Sequence, residues 1–142
     1  MAKFIFRLQT VIKVKEIQEK RIERELAQIK RKILQERQRL DTLEDEKQKA
    51  TSSRHLDGKI TVAEAIVHEN YVRKITDEIQ FQNARLENLA RSESKKIDEV
   101  LDVKKNKEAI ELLKEKRLEE FKREMEKKEQ VLLDAIAQRL SG

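Results

Sequence analysis

The chain of 142 residues contains no cysteine, no proline and only two glycines, Gly58 and the terminal Gly142. Without cysteine, it can form neither disulfides nor thiolate metal sites. Proline and glycine are the residues that interrupt helices most strongly. A chain that avoids both, and places its one interior glycine at residue 58, therefore predicts long helices with a single turn.

Long apolar runs are also missing. No run approaches the ~18 residues that a membrane-spanning helix needs. The opening stretch, MAKFIFRLQTVIKVK, has neither the unbroken apolar segment nor the small-residue cleavage site of a secretory signal. We therefore expect a soluble, cytoplasmic protein that reaches a membrane only through a partner.

Aromatic residues make up only 4% of the chain and hydrophobic residues 37%, whereas charged residues make up 43%. A compact core needs more apolar surface than this, but a coiled coil buries only one narrow row of residues, its seam. The net charge of +5 comes from 33 basic and 28 acidic residues. Because both signs are interleaved along the chain, a solvated face is expected, with loose attraction to acidic partners or anionic lipid.

The first half of the chain shows a heptad pattern of apolar residues, which predicts a coiled coil. Its members step by four and three residues: Ile22, Leu26, Ile29, Ile33, Leu40, Leu43 and Ala50. Glu36 and Lys47 fill the two missing steps. Upstream, the same phase would place Lys15 and Glu19 in the seam, so the apolar residues there predict a shift of phase near residues 17–22.

The second half begins with Thr61 three residues before Glu64, a capping box that predicts a helix start. The seam then continues through Val72, Ile75, Ile79, Leu86 and Leu89, with Gln82 in one slot, and Glu93 and Lys96 occupy the next positions. Apolar spacing resumes toward the C-terminus with Ile97, Val100, Leu101, Ile110, Leu118, Phe121, Met125, Leu132, Ile136 and Leu140.

These patterns predict an all-α fold, a long antiparallel two-helix coiled-coil hairpin forming a single domain over residues 1–142. Its helices would span about 4–54 and 61–140, joined by a turn at about 55–60 that uses Gly58 and restarts at Thr61. Folding at residue 58 pairs residues whose numbers sum to about 116, which places the charged gaps at 15–19 and 93–96 side by side. Roughly the last 25–30 residues would then lack an opposing helix and expose an apolar ridge that needs a partner.

No catalytic constellation is present. His55 and His68 show no metal-binding spacing, and Gly58–Lys59 lacks the remaining residues of a phosphate-binding loop. We expect no enzyme activity, no cofactor, no metal and no small-molecule substrate. Two aromatic features allow two interpretations each. Phe4 and Phe6 either close the open end of the hairpin or dock onto a partner. Tyr71 either packs at the hairpin end or binds a partner.

Three stretches resemble one known family. MAKFIFRLQTVIKVKEIQE resembles the N-terminal signature of the flagellar FliJ family, GKITVAEAIVHENYVRKI its hairpin-end region, and EKKEQVLLDAIAQR its C-terminal stretch. The resemblance covers nearly the whole chain. One departure is Ala135 after Asp134, where many relatives carry a second acid.

The resemblance implies a component of the flagellar type III export apparatus, built like the central stalk subunit of rotary ATPases. Such proteins associate with the hexameric export ATPase, promote its assembly and activity, and link it to the cytoplasmic domain of the membrane export gate. Export chaperones are a further implied partner, and the implied location is the cytoplasmic face of the membrane. Carried over by position, the gate-binding residues are Leu43, Tyr71 and Ile75.

For the ATPase, the resemblance implicates the two chain termini, and the apolar ridge adds three residues of its own. The combined set is Phe4, Phe6, Leu8, Leu118, Phe121, Met125, Asp134 and Arg139. A generic coiled-coil scaffold or adaptor remains an alternative. A nucleic-acid-binding coiled coil is another, although the sequence offers neither a basic block free of acids nor stacking aromatics.

Overall fold

The computed structural model describes residues 3–53, 58 and 60–141. It contains two α-helices, α1 (Gln9–Ser53) and α2 (Val62–Ser141), and no strand within the described residues. The two helices pack against each other, which confirms the all-α helical hairpin. Most of the predicted turn at 55–60, including His55, lies outside the described residues.

Contacts divide the chain into two compact units. Unit 1 comprises Met1–Arg21 and Val100–Gly142, and unit 2 comprises Ile22–Glu99. Within each unit, part of α1 runs antiparallel to part of α2: Gln9 contacts Lys114 and Glu19 contacts Lys107 in unit 1, and Glu25 contacts Lys96 in unit 2. The organisation as one domain stays a prediction.

The start of α2 is held by the predicted capping box. The Thr61 hydroxyl accepts the Glu64 N–H at 3.2 Å, and the Glu64 carboxylate reaches back to the Thr61 N–H at 3.5 Å. Glu64 also places a negative charge in the first turn of α2, where the helix dipole favours it. Two otherwise unpaired backbone donors are thus engaged, which explains why the helix begins here.

In unit 2, the seam follows the predicted heptad positions. Every α1 residue that the pattern assigned to the seam between residues 22 and 50 is buried or half-buried. Ile22, Ile33 and Leu43 are buried on α1, and Ile75 is only 3% exposed on α2. Each such aliphatic side chain contributes about 1.5–3 kcal/mol when it is fully removed from water.

The polar interruptions of the two seams meet in unit 2. Gln82 is buried, and its amide donates to the Glu36 backbone carbonyl at 3.0 Å and also to the Glu36 carboxylate. Arg85 lies 3.3 Å from the other carboxylate oxygen. One interrupting slot of each apolar pattern, Glu36 on α1 and Gln82 on α2, is therefore paired with the other.

In unit 1, the predicted shift of the seam phase is wrong. Lys15 and Glu19 stay in the seam and are half-buried, whereas Val14 and Ile17 point outward with 46% and 68% of their surface exposed. The physical reason is an ion pair, because Lys107 reaches the Glu19 carboxylate at 2.8 Å. A compensated charge can remain in the seam, so the helix keeps one phase at the cost of exposing two apolar side chains.

The predicted pairing register is also wrong toward the open end of the hairpin. The rule that paired residue numbers sum to about 116 holds for Glu36, which contacts Gln82. It fails for Glu19, which contacts Lys107 although the rule expects a partner near residue 97. Lys96 pairs instead with Glu25. The two charged gaps therefore do not face one another; each is met by an opposite charge on the other helix.

Residues 3–8 precede α1 and are not helical, so the first helix begins later than predicted. Phe6 is buried, and the Phe4 ring lies 5.6 Å from the Phe121 ring in a tilted arrangement. The N-terminal segment thus packs against α2 near Phe121. This corrects the predicted ridge, because Leu118 and Phe121 are half-buried and every described residue from 122 to 141 is exposed.

Candidate partner-binding surfaces

The free end of α2, residues 122–141, is the first candidate surface, and we call it the C-terminal ridge. No α1 residue covers it within the described part of the chain, and all of its residues are exposed. Its large apolar side chains are Met125, Val131, Leu132, Leu133, Ile136 and Leu140. Exposed apolar groups on a helix without an opposing helix commonly serve as an interface.

The residues predicted for ATPase binding fall into two groups. Phe4, Phe6, Leu8, Leu118 and Phe121 all lie in unit 1 and are at least half-buried, and Phe4 contacts Phe121. The structure therefore agrees with the interpretation that Phe4 and Phe6 close the open end of the hairpin. Met125, Asp134 and Arg139 lie on the ridge itself, where Asp134 accepts a hydrogen bond from Gln130 at 3.1 Å.

The residues predicted for gate binding all lie in unit 2, but they differ in exposure and do not line one common groove. Leu43 and Ile75 are buried in the seam, whereas Tyr71 is 48% exposed. A groove of about 690 Å³ in unit 2 has Leu43, Lys74 and Phe81 among its lining residues. Tyr71 lines a separate groove with Val67 and His68. Tyr71 is thus free to contact a partner, while Leu43 and Ile75 act first as core residues.

Sequence reasoning missed Phe81, whose ring is 67% exposed. The available signal was its position one residue before the seam slot Gln82, just as Tyr71 stands one residue before Val72. It also missed the apolar start of α2, where Val62, Ile66 and Val67 are exposed. These side chains lie off the seam positions, so the heptad pattern gave them no role.

Two ion pairs dominate the electrostatics of the seam. The Lys96 ammonium donates to Glu25 at 2.6 Å and to Glu99 at 3.1 Å, and these hydrogen bonds raise the pKa of Lys96 above its ordinary value of 10.5. The hydrogen bond from Lys107 to Glu19 raises the pKa of Lys107 in the same way. Both lysines therefore stay charged at physiological pH, where they hold the two helices together.

The described residues offer no obvious chemistry of other kinds. Among them, no cluster of His, Asp or Glu side chains could hold a metal ion, and no described helix combines the length and apolarity needed to cross a membrane. His68 is half-buried near the start of α2, and its Nε2 has no hydrogen-bond partner among the described residues.

Comparison with curated proteins and with solved structures gave no match. Comparison with protein families did: residues 4–142 match the family described as Flagellar FliJ protein. The match covers essentially the whole chain, including the N-terminal segment, both helices and the C-terminal ridge. This chain belongs to the FliJ family and is thereby a component of the flagellar export apparatus.

Proposed function

We propose that the chain acts as a non-enzymatic stalk that binds the hexameric export ATPase and links it to the cytoplasmic domain of the export gate, promoting ATPase assembly, ATP hydrolysis and protein export. In this proposal the protein works at the cytoplasmic face of the membrane, and export chaperones bind it as further partners. The likeness of the family to the central stalk of rotary ATPases supports an ATPase contact at the chain termini.

The observation that carries the proposal is the C-terminal ridge. Leu132 and Ile136 are 62% and 46% exposed, one helical turn apart on the same face of α2. Burying each in an interface is worth about 1.5–3 kcal/mol before the costs of association. In this proposal the ATPase ring supplies the apolar surface that covers these side chains, and the Phe4–Phe121 contact holds the base of the ridge in place.

The experiment titrates the purified export ATPase with the full chain and with a chain ending after Lys122, and measures ATP hydrolysis. The shorter chain retains every packed residue of unit 1 and should no longer stimulate hydrolysis. Leu132→Ala with Ile136→Ala should reproduce at least about a tenfold loss of apparent affinity. Glu126→Gln with Lys127→Gln changes the same segment without removing apolar groups and should act like wild type. Full stimulation by the shorter chain would contradict the ATPase contact proposed for the ridge.

For the gate, the proposal assigns binding to Tyr71 together with Phe81, since both are exposed aromatic side chains on α2 in unit 2. Tyr71→Ala with Phe81→Ala should weaken binding of the gate's cytoplasmic domain by about 2 kcal/mol and leave thermal stability nearly unchanged. Ile75→Ala is the contrasting variant, because Ile75 is 3% exposed and its truncation should cost about 2–5 kcal/mol of stability. Unchanged gate affinity in the Tyr71/Phe81 variant would show that the gate binds elsewhere.

A further inference from the structure

Unit 2 contains a stretch in which cations greatly outnumber acids. The pairs Glu25–Lys96 and Glu36–Arg85 fix the local register, so residues 30–39 of α1 lie alongside residues 82–91 of α2. We call these twenty residues the cationic band; at ~1.5 Å per residue it is about 15 Å long. Its charged residues are Lys30, Arg31, Lys32, Arg37, Arg39, Arg85 and Arg91 against Glu36 and Glu87.

The seven cations and two carboxylates of the cationic band give it a net charge of +5, which equals the net charge of the whole chain. The rest of the chain is therefore balanced, with 26 basic and 26 acidic residues remaining from totals of 33 and 28. Along the sequence the signs look interleaved. Only the antiparallel pairing of α1 with α2 brings these two basic segments to the same level.

The charge of the band is not neutralised within the described residues. Glu36 is turned into the seam, where Gln82 and Arg85 engage it. Glu87 is 71% exposed and only 3.9 Å from Arg91, a loose pair. The five α1 cations are all exposed and form no ion pair with any described residue.

The α1 cations and Arg91 point away from the seam, either outward or along the edges of the helix pair. The seam positions Ile33 and Glu36 define the inner side of α1, so Arg31 lies on the opposite, outward face. The other four cations lie along the two edges between these faces, Lys30 and Arg37 on one edge and Lys32 and Arg39 on the other. On α2, Arg91 lies on the outward face and is 71% exposed. Like charges held this densely repel one another and gain from an anionic partner.

We infer that the cationic band is a docking surface for an acidic protein partner whose carboxylates approach α1 and α2 from more than one side. Five of the seven cations are arginines, whose planar guanidinium groups pair with carboxylates in a bidentate manner. A flat membrane touches only one side of a helix pair, and the band offers only Leu34 as an exposed large apolar side chain to insert. This inference goes beyond the proposed function and does not depend on it.

The test compares two full-length variants with the same change in net charge. The band variant neutralises Lys30, Arg31, Lys32 and Arg37 by substitution with Gln. The control variant neutralises Lys95, Lys105, Lys116 and Lys122 by substitution with Gln; these are exposed positions of α2 without an ion pair among the described residues. Circular dichroism should show that both remain helical, because all eight side chains are exposed.

Binding is measured with two probes, poly-L-glutamate and phosphatidylcholine vesicles containing about 30% phosphatidylserine. We expect wild type to bind poly-L-glutamate in a salt-sensitive manner, the band variant to bind about tenfold more weakly, and the control to stay within about twofold. Equal loss in both variants would overturn the inference in favour of net charge alone. Absence of binding by wild type would also overturn it, as would band-dependent binding that is tighter to the vesicles than to poly-L-glutamate.

Discussion

At the scale of single residues, the polar side chains inside the seam have the most specific consequences. Glu36 and Gln82 each interrupt an otherwise apolar row, and each satisfies the other. A buried polar group contributes little net stability when it is paired, but an unpaired one costs much of its desolvation free energy. The pair therefore contributes more to the choice of register between α1 and α2 than to the free energy of unfolding.

A double-mutant cycle tests this reasoning. Gln82→Leu leaves the half-buried Glu36 with Arg85 as its remaining partner and should lower the free energy of unfolding by about 1–3 kcal/mol. Replacing both residues, Glu36→Leu with Gln82→Leu, should restore wild-type stability or exceed it, since two apolar groups replace a polar pair. Urea unfolding measures both. Greater stability in the Gln82→Leu single variant than in wild type would contradict the pairing.

The Glu19–Lys107 pair predicts a dependence on alkaline pH. Its hydrogen bond raises the pKa of Lys107 above 10.5 in the folded chain. A raised pKa means that the folded state holds the proton more tightly, so the stabilisation is fully present below pH 10.5 and disappears as pH rises through the folded-state value. The difference in stability between wild type and Lys107→Met should therefore shrink above pH 10.5. Lys105→Met removes a lysine at an exposed neighbouring position and serves as the matched control.

At the scale of whole elements, the junction between the helices depends on the cap of α2 more than on glycine. The described part of the chain holds no glycine with positive φ, and a Cβ at Gly58 would meet no heavy atom within 4 Å. The strain that a positive φ would impose on a substituted residue 58 is therefore not expected. The capping box, in contrast, engages two backbone donors of α2.

Two substitutions separate these roles. Thr61→Ala removes the hydroxyl that accepts the Glu64 N–H and should cost about 0.5–2 kcal/mol. Gly58→Ala should change stability by less than about 0.5 kcal/mol, because the site is open and no positive φ forbids a side chain. Thermal unfolding of the two variants measures the contrast. A larger loss for Gly58→Ala than for Thr61→Ala would reverse the assignment.

The end of α2 consists of a packed part and a free part, which truncation should distinguish. A chain ending after Lys122 keeps the Phe4–Phe121 contact and should unfold within about 0.5 kcal/mol of the full chain. A chain ending after Glu115 loses Leu118 and Phe121, and should lose roughly 2–4 kcal/mol from unit 1 through lost burial and the aromatic pair. Hydrogen exchange of the Ile12 and Val100 amides, which lie in unit 1, reports the difference. Equal protection in both shortened chains would show that the aromatic contact is not stabilising.

The sequence predicted those features whose signal lies within a single helix. Heptad spacing identified the seam over residues 22–50, and a four-residue motif located the start of α2, because both signals reside within one helix. The phase at Lys15 and Glu19 could not be read locally, since it depends on Lys107, 88 residues further along the chain. The cationic band depends in the same way on which segment of the other helix lies beside it.

At the scale of the whole molecule, we expect the polar pairs along the seam to favour pairing of α1 with α2 over pairing with a second copy. Glu19, Glu25 and Glu36 all lie on the inner side of α1, and each meets a donor on α2. If α1 packed against α1 of a second copy, these carboxylates would face other α1 side chains without those donors. Unpaired charges in a seam are strongly unfavourable, so pairing within one chain is favoured over self-association.

The final prediction follows from this selection. A variant with apolar residues at two of these three pairs carries Glu19→Leu, Lys107→Leu, Glu36→Leu and Gln82→Leu. It retains only the Glu25–Lys96 pair to distinguish α2 from a second α1. Sedimentation velocity over a range of concentrations should show a monomer for wild type and concentration-dependent dimers or larger species for the variant, although its helices should resist urea at least as well. Exchanging the partners, with Glu19→Lys and Lys107→Glu, keeps one opposite-charge pair and should stay monomeric. If the apolar variant is also a monomer at every concentration, the polar pairs do not determine partner choice, and the short connection between α1 and α2 is sufficient to do so.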